Sequence, residues 1–202
     1  LKVSYDMTVR NNKGKIIQYK YGGDNIETTK IESQIIDLAQ MTIEEVYAHF
    51  QVPLDDTTNE MFTTNYTKEA VKRLKRQKGA LNAKLETMIN EMIINRKHLV
   101  ENVFKFTNKN NVHLSVNFKR IMQNLQHQLN IQKTSMVDIT PLEIYKILDF
   151  SLDKLKRLPR LAPTKLFEIV YYYYLTPKNL LMFHRFNRKA IILLTEKIEN
   201  IY

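Results

Sequence analysis

The chain has 202 residues, 44% of them hydrophobic and 26% charged, a balance suited to one good-sized globular domain or two small ones. It has no cysteine, which excludes disulfides, thiolate chemistry and Cys-zinc sites, and no apolar run approaches the length needed to span a bilayer. The net charge of +10 is uneven: residues 1–60 carry six Lys/Arg against ten Asp/Glu, and residues 61–202 carry twenty-five against eleven. Such a basic part faces nucleic acid or an acidic partner, or is simply the solvated side of Lys-rich helices. The chain opens at Leu1 rather than at Met and is expected to be a piece of something longer.

Three of the four glycines fall within Tyr5–Asn25. There Met7–Arg10 reads as a short strand, Asn11-Asn12-Lys13-Gly14 as a turn able to take positive φ, and Lys15–Tyr19 as the returning strand. Gly22-Gly23-Asp24-Asn25 redirects the chain a second time. A β-hairpin over 1–27 is thus expected to precede a helical body over 28–202.

Helical signals follow. Ile31–Leu38 is a short apolar-periodic stretch, Thr42-Ile43-Glu44-Glu45 a capping box opening a helix toward Phe50, and Pro53–Asn65 a polar loop. Thr67 caps a long helix reaching about Phe104, with an interruption expected near Gly79. Phe104–Leu114 is expected to hold two short strands around Asn108–Asn111. Asn117 caps a helix with an apolar stripe of Phe118, Ile121, Met122, Leu125 and Leu129. Thr140-Pro141-Leu142-Glu143 joins a cap, a first-turn Pro and a capping-box Glu; Thr164, Thr176-Pro177 and Asn187 open the last helices. The fold class is mainly α with a small β-hairpin component.

Residues with catalytic chemistry do not assemble in the sequence. His49, His98, His113, His127 and His184 lack metal-ligand spacing, no HExxH or GxSxG occurs, and Gly22-Gly23 belongs to no phosphate loop. Asp55-Asp56 is a lone acidic pair in a polar loop. The strongest electrostatic feature is Lys68, Lys72, Arg73, Lys75, Arg76 and Lys78. On a helix these six cover more than one face, so nucleic acid, an acidic protein surface and plain solvent all suit them. Tyr171–Tyr174 spans every face of a helical turn, with two rings expected in the core and two outside or at an interface.

The opening stretch YDMTVRNNKGKIIQYKYGGDN resembles the YDxTVRNxxGxxIQFxYGxDG segment of the largest subunit of multisubunit DNA-directed RNA polymerases of the eukaryotic polymerase II type. Tyr5, Asp6, Thr8, Val9, Arg10, Asn11, Gly14, Ile17, Gln18, Tyr21, Gly22 and Asp24 all fall on that pattern. VNFKRIMQNLQ, with Asn117, Arg120 and Asn124, is similar to the family's VN-L/I-x-R-x-I-x-N-A-Q helix. LLMFHRFNRKAIILLTEKIENIY is similar to its VLxEYRLTKxAFxWVLxxIExxF stretch, and NRKHLVENVF fits a weaker segment; similarity thins between Gln34 and Glu91.

The resemblance implies the foot domain of that subunit, a multi-helix element following the bridge helix and preceding the trigger loop. The parent would be a nucleotidyltransferase using Mg2+, but the NADFDGD motif that carries the family's catalytic aspartates is absent, so no cofactor and no catalysis are expected of this piece. Implied partners are other polymerase subunits, with capping enzyme or transcription factors at the outer surface, DNA and RNA only through the parent complex, and no membrane. The Lys-, Asn- and Ile-heavy composition favours a large cytoplasmic DNA virus as source, hence host cytoplasm or virion, over a cellular nucleus. The rival reading is a stand-alone basic helical nucleic-acid-binding module.

Overall fold

The computed structural model of the protein describes residues 1–6, 8–19, 30–52, 65–158 and 162–202. Gly22, Asp24, the Asp55-Asp56 pair and the boundary drawn at 27/28 lie outside the described residues.

A three-stranded antiparallel sheet opens the chain: β1 (Lys2–Val3), β2 (Val9–Arg10) and β3 (Ile16–Gln18), in that order. Val3 faces Val9, Val9 faces Gln18 and Arg10 faces Ile16, with a bulge at Val9/Arg10. The expected hairpin is therefore present, with β1 added on its outer edge. Its turn is built by Asn11, whose Oδ1 accepts from the Lys13 and Lys15 amides at 3.0 and 2.9 Å, and by Gly14 at φ 78°, where a side chain would be strained.

β4 (Glu32–Ile35) pairs antiparallel with β5 (Asn111–Leu114), and a 3₁₀ turn covers Asp37–Ala39. This corrects two expectations. The apolar stretch 31–38 is not helical: Gln34, Ile36 and Leu38 are buried on alternate positions, which is the period of a strand. Phe104–Leu114 holds one strand rather than two, because its partner is β4 and not a neighbouring hairpin arm.

Among the described residues six α-helices make the body: α1 (Ile43–Phe50), α2 (Lys68–His98), α3 (Phe118–Gln128), α4 (Pro141–Lys156), α5 (Lys165–Tyr174) and α6 (Arg188–Ile201). Thr42, Thr67, Asn117, Thr140, Thr164 and Asn187 each accept an N-terminal backbone N–H of the helix they precede, and Thr42 and Thr140 form full capping boxes. α2 runs unbroken through Gly79, contrary to the expected interruption. A Cβ there would meet nothing within 4 Å, and one exposed glycine costs a helix of 31 residues only about 1 kcal/mol. The Thr176 hydroxyl accepts the Asn179 amide at 3.2 Å and opens a π turn over Asn179–Phe183 rather than a full α-helix.

One face of α2, carrying Leu74, Leu81, Leu85, Met88 and Met92, is buried, as are Phe118, Ile121, Met122 and Leu125 of α3. α2 packs on α1 and α4, α4 on α6, and α3 on α5 and α6, so a single apolar cluster joins all six helices. Val9 is buried within the N-terminal sheet and stands outside that cluster. Tyr171 and Tyr173 are buried, and Tyr172 and Tyr174 half-buried, as the four faces of the tyrosine run required. Among the described residues no helix is long and apolar enough to cross a membrane.

Candidate interaction surface

In the N-terminal sheet the charged residues that carry the resemblance bond to one another. Asp6 Oδ1 accepts from the Thr8 hydroxyl at 2.6 Å and the Thr8 amide at 3.2 Å, and Arg10 donates to Asp6 Oδ2 at 2.6 Å and to the Thr8 hydroxyl at 2.9 Å. The Thr8 hydroxyl, then its amide and the Arg10 guanidinium, hold the Asp6 carboxyl down to about 2. Tyr5 is fully exposed, and Gln18 lies exposed on β3.

A second group fixes the start of α3 to β4. Asn117 caps α3 through Oδ1 and donates through Nδ2 to Glu32 Oε2 at 2.8 Å, while Arg120 pairs with the other Glu32 oxygen. Buried Gln34 donates to the Val116 carbonyl at 2.6 Å and accepts from the Phe118 amide at 3.1 Å. Asn124 lies exposed on α3, in a shallow cleft against Lys197 and Asn200 of α6. Glu32 and Gln34 were invisible as site residues, since each acts across more than 80 positions of chain.

The matching region is nearly the whole body. Residues 26–202 fit the family model described as RNA polymerase Rpb1, domain 6. The chain belongs to that family. Its parent is therefore the largest subunit of a DNA-directed RNA polymerase, a nucleotidyltransferase that assembles with other polymerase subunits. The sheet of residues 2–18 precedes the matched region of this Rpb1 domain.

The six basic residues of α2 separate in the structure. Arg73 turns inward: Nη2 donates to the Asp138 carbonyl at 2.5 Å and Nε lies 3.5 Å from Glu143 Oε1. Glu143 also receives Arg188 Nη2 at 2.6 Å, so one carboxylate at the start of α4 ties α2 to α6. Lys68, Lys72, Lys75 and Arg76 are exposed and, at about 100° per residue, share an arc of roughly 100° on the solvent side of α2. Lys78, also exposed, lies beyond that arc.

A groove of about 650 Å³ between α2, α4 and α5 is lined by paired charges. Asp149 accepts from Lys84 at 2.8 Å and from the Tyr172 hydroxyl at 2.7 Å, and Lys156 pairs with Glu168 at 3.0 Å. Burial and the neighbouring Asp149 charge together push the Tyr172 hydroxyl far above the ordinary phenol range. Among the described residues no three His, Asp or Glu side chains converge as a metal site would need. What the surface does offer is apolar: Ile94, Phe106, Phe150 and Phe183 are large, exposed and borne by rigid elements or tight turns.

Proposed function

We propose that this domain is the foot of a polymerase II-like largest subunit, an architectural element whose outer face docks other subunits or factors while catalysis resides elsewhere in the polypeptide. One observation carries the reading. The charged and polar side chains that link distant segments, Glu32 with Asn117 and Arg120, and Glu143 with Arg73 and Arg188, are spent on one another, as are Asp6 and Arg10 within the N-terminal sheet, whereas large apolar groups such as Phe150, 73% exposed, remain open. That is the distribution of a scaffold with contact surfaces, not of a reaction centre. The Lys-, Asn- and Ile-rich composition supports a large cytoplasmic DNA virus as source, working in host cytoplasm and packaged in the virion, with the capping enzyme among the docking factors. The test is a reconstituted polymerase with Phe150→Ser and Ile94→Ser in the largest subunit. Retained RNA synthesis on a preassembled scaffold with lost subunit or capping-enzyme retention is expected; loss of synthesis with all subunits and factors retained would overturn the reading.

A second reading, nucleic-acid contact by α2, is favoured by the arc of Lys68, Lys72, Lys75 and Arg76. Binding of duplex DNA by the isolated chain that falls steeply with salt, and is lost when these four are changed to Gln, supports it; salt-independent or absent binding removes it.

A further inference from the structure

The end of α2 carries two non-glycine residues in the left-handed region. The helix leaves through a π turn over Leu99–Val103, the Phe104 amide donating to the Leu99 carbonyl at 2.9 Å. The chain then reverses with the Phe106 amide on the Val100 carbonyl at 3.0 Å, a seven-residue closure, one residue longer than the common helix ending whose left-handed position is usually glycine. Here Lys105 and Phe106 stand there instead, both left-handed, at φ 48° and 58°. A phenylalanine in that region is an outlier that persists only when its surroundings impose it. They do. Buried Phe104 accepts both the amide and the hydroxyl of Thr107, at 3.0 and 2.6 Å, and Asn108 and Asn110 are held by Gln40 and Asp37.

In the matching closure after the π turn of Asn179–Phe183, the Phe186 amide donates to the Leu180 carbonyl at 3.0 Å and the Phe186 ring is fully buried. Phe106 instead points out, 76% exposed, and makes no ring contact among the described residues. Val103 beside it is also exposed. Lys97, Lys105 and Lys109 flank it in the chain, all exposed, while Glu101 lies 4.0 Å from Lys97 and Asp37 bonds Asn110.

We infer that Phe106 is the anchor of a contact with another subunit of the polymerase, its ring filling an apolar pocket whose rim is acidic. The inference rests on the docking role proposed above and names its point of attachment. A rigidly presented aromatic ring loses little freedom on insertion, which suits an anchor residue. The lysines around it select a carboxylate-bearing rim, and the adjoining Val103 favours a protein pocket over a stacked base.

The experiment uses the assembled polymerase with p-benzoylphenylalanine at position 106 of the full-length largest subunit, and control probes at positions 94 and 150. Irradiation is expected to join position 106 to a single other subunit, in a stretch bearing carboxylates. Phe106→Ala should weaken retention of that subunit at least about tenfold and Phe106→Leu less, while Lys105→Glu, which reverses a charge facing the acidic rim, should weaken it as well. Crosslinks from position 106 to nucleic acid, or only within the largest subunit, overturn the inference. If position 106 stays silent while the controls reach other subunits, the anchor is refuted and the docking role stands; if all three stay silent, both fall.

Discussion

Gln34 is the most consequential polar side chain in the core. It is 5% exposed, and its amide bridges the Val116 carbonyl at 2.6 Å and the Phe118 amide at 3.1 Å, on two residues that are themselves fully buried. Gln34→Ala removes one partner from each of two buried backbone groups, and each unsatisfied group costs about 1–3 kcal/mol. Water entering the vacated space recovers part of this, so the net expectation is about 2–4 kcal/mol. For a chain of 202 residues, each kcal/mol lowers the melting temperature by about 2–4 °C, which predicts a drop of roughly 5–15 °C. Urea denaturation of the isolated chain followed by circular dichroism measures it, with exposed Gln123→Ala as the control, expected within about 0.5 kcal/mol of the parent. A Gln34→Ala loss no larger than the control would show that the bridge between β4 and α3 contributes nothing net.

Tyr145 is buried, and its hydroxyl has no hydrogen-bond partner among the described residues, while Lys84 sits 5.7 Å over its ring; Tyr145→Phe keeps the ring contact and should raise stability by about 1 kcal/mol, read as a higher urea midpoint. Gly79→Ala adds a side chain to open space within α2 and should stabilise by about 0.5–1 kcal/mol; a lower melting temperature would contradict the unbroken helix. His49 stacks on Tyr173 and bonds its carbonyl, and burial, with Lys178 nearby, lowers its proton affinity below the ordinary 6.5. Its folded-state value is depressed, so the neutral ring's contribution is present above 6.5 and lost as pH falls below it. Urea midpoints from about pH 7.5 to about pH 5 should therefore fall less steeply in His49→Gln than in the parent.

Every feature read correctly from sequence was local. Thr42, Thr67, Asn117, Thr140, Thr164 and Asn187 each bond the amide three residues on, so the cap is written in one short stretch. The misreadings had long-range causes. Residues 32–35 are extended because β5, almost 80 positions later, offers them a ladder, and four residues are too few to separate a period of 2 from 3.6. Gly79 was read as a break because propensity disfavours glycine in a helix, but the packing of Leu74, Leu81 and Leu85 on either side outweighs it. Likewise Arg73 belonged to a basic cluster by spacing alone; only the approach of α4 and α6 shows that Glu143 and Asp138 claim it.

The same division bears on where specificity sits. Asp6, Arg10, Asn11, Asn117 and Arg120 carry the resemblance, and each is engaged inside the domain, in a turn, a cap or a bridge to β4. Such residues preserve a shape and are unavailable to discriminate among partners. Among the groups exposed to meet a partner, Phe106, Phe150 and the lysine arc of α2 lie on none of the quoted family patterns, and the arc falls in the stretch where similarity is thinnest. A scaffold held by bonded polar residues tolerates exchange of exposed side chains at little cost in stability. Partner choice can therefore diverge at those positions while the fold that presents them stays the same.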